Sequence, residues 1–163
     1  MGRAHWPDAP EFGGWIDVTG RQVFEVLGTV GPPGVRGIEW YFMPEREHYG
    51  KRLVDAVWQY GTGLKVYSER LCEVMEAQGA RLETWPADVR HRDGQRIPGY
   101  LAVLEEVDTP GPVHSFVKGR RSSDVAINED VRSAILRGAF AGLEIEEVSG
   151  PFPGGDFDDP PAL

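Results

Sequence analysis

The stretch LKVYSERLCEVMEAQGARLETWP, from Leu64 to Pro86, decides how this chain is read. A short β-prone run opens it, Ser68-Glu69 follow, then one amphipathic helix, then the alternating Arg81-Leu82-Glu83. Ser68 suits an N-cap, because a hydroxyl there accepts a backbone N–H that the first helical turn leaves without a partner. The spacing of Leu71, Val74 and Met75 predicts a helix to about Ala77 with those three side chains inward. Gly79 fits the position just past the helix end, where a left-handed residue is favoured. Pro86 stops the returning strand.

The pattern occurs again near the end, as DVAINEDVRSAILRGAFAGLEIEEV from Asp124 to Val148. Asn128 stands where Ser68 stood and caps a helix holding Val131, Ala134 and Ile135. Glu129 and Asp130 fill its first turn, where the helix dipole favours negative charge. Gly142 precedes a final alternating strand, Leu143–Val148. A strand–cap–helix–strand unit used twice predicts a scaffold whose polar residues serve structure.

Working outward, Lys51–Tyr60 (KRLVDAVWQY) carries apolar residues at 53, 54, 57 and 58, which predicts a third helix. Arg36–Met43 reads as a strand, being rich in aromatic residues, and Ile97–Val107 is the best strand in the chain. Asp93-Gly94 predicts a hairpin joining Val89 to the Tyr100 region. Val113–Lys118 reads as one more strand. The fold class expected is α+β: a mixed, mainly antiparallel sheet of about seven strands with about three helices on one face. Residues 1–150 form one domain in this reading, with 1–14 an irregular arm; 151–163 is a flexible acidic Pro/Gly tail.

A chain of 163 residues has room for one domain with a core. Its net charge of −9 repels phosphate backbones, so nucleic-acid binding is not expected, and it would speed association with a basic partner. The one cysteine, Cys72, allows no intrachain disulfide. The segment MGRAHWPDAPEF lacks the apolar core of a signal peptide, and no window reaches the length of a membrane span. A cytoplasmic protein with no membrane contact is expected.

Little in the sequence assembles a reaction. His5, His48, His91 and His114 have no paired-ligand spacing, so no metal is expected. Cys72 lies beside core positions of its helix, which predicts a buried or semi-buried thiol and not a nucleophile. Ser68 lacks a nucleophile-elbow context, and Ser122-Ser123 in GRRSS lacks the rest of a phosphate loop. Glu105 and Glu106 are adjacent on a strand and point to opposite faces, so they form no acid–base pair. No cofactor is expected. The aromatic residues, five Trp and five Tyr among them, are mostly core, with one or two exposed rings as interface anchors.

Three segments carry a family resemblance: VYSERLCEVMEAQGARLETWP, DVRHRDGQRIPGYLAVLEEVD with Tyr100 before an apolar run, and SSDVAINEDVRSAILRGAFAGLEIEEV. Together they resemble the bacterial immunity family numbered eleven of the polymorphic toxin systems, over Gly63 to Val148, roughly half the chain. Asn128-Glu129 departs from the Ser-Glu expected there, and Asn caps helices equally well. The resemblance implies a non-enzymatic protein that binds and neutralises a cognate toxin, with no catalytic residues to carry over.

The surface expected to meet such a partner combines Glu45, Glu47, Tyr49, Glu105, Glu106, Asp108, Glu144, Glu146 and Glu147. Two alternatives stand beside it. One is a small enzyme with a site near His91, Asp93, His114 and Arg120-Arg121. The other is a scaffolding subunit that oligomerises through its aromatic N-terminal half.

Overall fold

Ser68 and Asn128 act as the sequence predicts. The Ser68 hydroxyl accepts the Leu71 N–H at 3.3 Å, and the Asn128 side-chain oxygen accepts the Val131 N–H at 2.9 Å. Each cap starts a helix, α1 (Glu69–Ala77) and α2 (Glu129–Gly138). The computed structural model describes residues 2–5, 14–17, 40–43, 54–58, 65–90, 95–107, 111–116 and 124–148. Its strands before α1 are β1 (Gly2–His5), β2 (Gly14–Asp17), β3 (Trp40–Met43), β4 (Ala56–Trp58) and β5 (Lys65–Ser68). Between the helices lie β6 (Leu82–Pro86), β7 (Asp88–Arg90), β8 (Arg96–Ile97), β9 (Tyr100–Glu105), β10 (Val113–Ser115) and β11 (Val125–Ile127). After α2 comes β12 (Glu144–Glu147).

The strands form three four-stranded sheets, β4-β5-β9-β6, β10-β11-β1-β12 and β2-β3-β7-β8. The first two have the same plan. In one, β9 lies between β5 and β6 and is antiparallel to both, so β5 and β6 run parallel and α1 is their crossover. In the other, β1 lies between β11 and β12 in the same way, and α2 is the crossover. Both are split β-α-β units. Each is extended by an antiparallel strand, β4 on β5 and β10 on β11.

The correspondence reaches single residues. Ala56 pairs with Tyr67, and Val113 with Ile127. The residue before each outer strand accepts the N–H of the cap: Ser68 N–H donates to Asp55 O at 2.8 Å, and Asn128 N–H to Pro112 O at 2.9 Å. Asp55 and Pro112 are thus equivalent, as are Ser68 and Asn128. The units also touch reciprocally. Gly79, after α1, lies against Pro112, and Gly142, after α2, lies against Val54.

Register explains the core. Tyr67 pairs with Leu101 and Val103 with Thr84, so Tyr67, Leu101 and Val103 share one face. That face meets Leu71, Cys72 and Met75 of α1, Val131 and Ile135 of α2, and Val113, Val125 and Ile127 of the second sheet in one cluster. The helices also pack on one another. The opposite face of the first sheet is buried too, at Val66, Ala102 and Leu104. Two-sided burial is why β9 reads as an almost unbroken apolar run.

Several expectations are corrected. The helix expected at 51–60 is a strand where it is described, β4: Asp55 gives its N–H to Ala141 O and its C=O to Ser68 N–H, bonds a helix would have taken. Two helices, not three, lie among the described residues, and they pack against strands of two sheets instead of covering one. Ile97–Val107 is not one strand. Pro98 offers no N–H and Gly99 turns left-handed at φ +84°, so Ile97 pairs with Val89 while Tyr100 opens β9 in another sheet. Within the segment read as an irregular arm, Gly2–His5 is β1, a middle strand. The tail 151–163 lies outside the described residues.

Candidate functional site

Three groups of polar side chains bear on function. At the first, Asp55 is buried just ahead of β4. Its Oδ1 accepts from Ser68 Oγ and Arg70 Nε, each at 2.7 Å. Its Oδ2 accepts from Arg70 Nη2 at 2.7 Å and from the Ala141 N–H at 2.8 Å. Burial alone would raise the Asp55 carboxyl, but bonds from Arg70, the Ala141 amide and Ser68 outweigh it and hold it below the usual carboxylate range. The Arg70 guanidinium lies 4.4 Å from the centre of the Phe140 ring. Ser68 both donates to Asp55 and accepts from Leu71, so its hydroxyl is committed to structure.

At the second, Lys65 Nζ meets Glu105 Oε1 at 2.7 Å, both side chains almost wholly buried. Tyr67 lies two residues along β5 on the face of Lys65. Burial, then the Glu105 charge, push its hydroxyl well above the usual tyrosine value. Sequence reasoning missed both Lys65 and Asp55. The available signal was Lys65 itself, a lysine in step with Tyr67 in a run otherwise apolar.

At the third, β12 presents exposed Glu144, Glu146 and Glu147, while Ile145 between them packs partly against the core. Alternation produces part of this: Ile145 pairs with Ala4, and Glu144 and Glu146 point to the other face, while Glu147 shares the face of Ile145 and is exposed at the strand's end.

The structure therefore divides the expected partner surface. Glu144, Glu146 and Glu147 are exposed together on one strand. Glu106 is partly buried, 3.9 Å from Arg81 Nη1. Glu105 is corrected: it is 3 % exposed and held by Lys65 inside the sheet, so it cannot meet a partner. Glu45, Glu47, Tyr49 and Asp108 lie outside the described residues.

Of the alternative enzyme site, His91, Asp93, Arg120 and Arg121 lie outside the described residues. His114 is buried, its Nδ1 2.9 Å from the Gly111 carbonyl oxygen. Cys72 is buried in the core, as expected, and burial followed by the Glu76 charge push its thiol up to about 12. Among the described residues no group of three or more His, Cys, Asp or Glu is arranged to hold a metal ion, and no helix is long and apolar enough to cross a membrane. No protein-family model and no curated protein matches this chain.

Proposed function

We propose that this chain is a cytoplasmic immunity protein, which binds a cognate basic toxin and neutralises it by contact, without catalysis or a cofactor. The observation that carries the reading is β12, a strand with Glu144, Glu146 and Glu147 exposed and its apolar residue seated on the core. A strand fixed in this way holds the backbone that carries the carboxylates in place, so little backbone order is lost when a cationic surface meets them. The chain's net charge of −9 adds a long-range attraction for such a surface. The sequence resemblance over Gly63–Val148 points the same way. Exposed charges of this kind act mainly on association rate and partner choice, so the complex is expected to be salt-sensitive.

The test joins capture to protection. The chain is used as bait in its native bacterium at low and high salt, and the captured protein is expressed with and without it. One stoichiometric partner, lost at high salt and toxic unless this chain is present, is the expected result. Reversing Glu144, Glu146 and Glu147 to Lys is expected to slow association at least about tenfold. A partner whose toxicity is unaffected by the chain would overturn the reading, as would unchanged binding by the reversed variant.

A further inference from the structure

The two equivalent units differ at one telling position. Asp55 in the first corresponds to Pro112 in the second, and both accept the cap N–H through the backbone carbonyl. The unit therefore folds without a carboxylate there, and the Asp55 side chain has another use. It reaches the connection between α2 and β12 by taking the Ala141 N–H, while its own N–H binds the Ala141 carbonyl at 2.9 Å. Arg70, clamped by the same carboxylate through two bonds of 2.7 Å, covers the neighbouring Phe140 ring. One residue on, Gly142 turns left-handed at φ +78° and passes so close that a Cβ would sit 2.7 Å from Val54 Cβ. The reciprocal contact of Gly79 on Pro112 is looser, with 3.8 Å to the nearest atom.

We propose that Asp55 and Arg70 form a latch across the joint between the units, which sets the position of the acidic strand β12. Ala139 leaves α2 at φ +48°, so the segment Ala139–Leu143 departs from the helix at once and is steered by what it meets next. What it meets is Val54, Asp55 and Arg70 of the other unit. The latch acts on β12 from outside its sheet, where β1 supplies the pairing. It goes beyond the proposed function, because it holds whatever β12 contacts.

The test is amide hydrogen exchange of the whole chain carrying Asp55→Asn, which keeps the shape and removes the charge. Loss of a hydrogen bond to a charged group is expected to speed exchange at Leu143–Glu147 by about tenfold or more. Exchange at Val125–Ile127 and Val131–Ile135 is expected to change several-fold less. Arg70→Lys, which alters a half-exposed side chain and spares Ser68, is expected to give the same local pattern more weakly, and it decides the matter if Asp55→Asn does not fold. Equal acceleration in β11, α2 and β12 would overturn the latch, leaving Asp55 a general stabiliser, and so would unchanged exchange at β12. No partner enters the measurement, so its failure leaves the proposed function standing.

Discussion

Replacing Lys65 by Met is the sharpest test of how the first sheet is held together. Lys65 and Glu105 lie 2.7 Å apart with side chains 0 % and 1 % exposed. At an effective dielectric of about 20 their attraction is about 6 kcal/mol. Removing two ions from water costs several kcal/mol each, so the pair as a whole contributes little net stability. Removing one partner is different. It leaves Glu105 buried without its counter-charge, with Oε2 already lacking a hydrogen-bond partner, and costs about 3–5 kcal/mol. Against a total of roughly 5–15 kcal/mol for a domain, that is a large share. The double variant Lys65→Met with Glu105→Leu fills similar volume without charge and is expected to recover most or all of the loss. Urea unfolding of the four proteins measures this, provided the slope stays constant. A single-variant cost under about 1 kcal/mol, or a double variant equal to the sum of the singles, would refute the account.

Other expectations follow from single contacts. Asp55→Asn is expected to cost about 1.5–3 kcal/mol at neutral pH. Because the folded carboxyl is held below its unfolded value near 3.8, its contribution is present above that pH and fades as pH falls through the folded value, so wild-type and variant unfolding curves should converge in acid. Ala139→Gly is expected to raise stability by about 0.5–1 kcal/mol in the same assay, since Ala139 is left-handed at φ +48° and glycine adopts that conformation without strain. Gly142→Ala is expected to destabilise, through both its φ of +78° and the clash with Val54, and a lowered Tm checks it. Cys72, with its thiol pushed up to about 12, is expected to resist alkylation at pH 8 until urea unfolds the chain, and a thiol-counting reagent follows that.

What the sequence made legible is what short-range chemistry determines. Both caps, both helix faces and the left-handed Gly79 depend on residues within one or two turns of each other. What it hid depends on distant partners. The apolar positions of 51–60 suit a helix, yet Ala56, Val57 and Trp58 find a ladder on β5, and tertiary pairing wins. β1 offers only four residues, and its place between β11 and β12 comes from strands more than 100 positions away. Glu105 looked like surface because it sits in the acidic pair Glu105-Glu106. Its register puts it on the face of Val103 and Tyr67, where Lys65, 40 residues away, awaits it. Glu144 and Glu146 were legible because alternation alone sorts them from Ile145, while Glu147 shares the face of Ile145 at the strand's end.

The two units show where the protein is constrained and where it is not. Cap chemistry is interchangeable in its helix role, since Ser68 and Asn128 each accept the N–H three residues on. Only a hydroxyl can accept that bond and donate to Asp55 through the same atom, so serine stands in the unit that carries the latch. The outer ends of the units diverge further. β6 is half-buried through Trp85 and ends in Pro86, which cannot donate to an added strand. β12 occupies the equivalent place, is exposed, and has no proline. Its three glutamates oppose pairing with a second copy, because like charges would face each other across the new ladder. They favour a cationic surface for the same electrostatic reason. A framework built twice from matching positions thus differs most at one strand, and that strand is where the binding reading and the latch both converge.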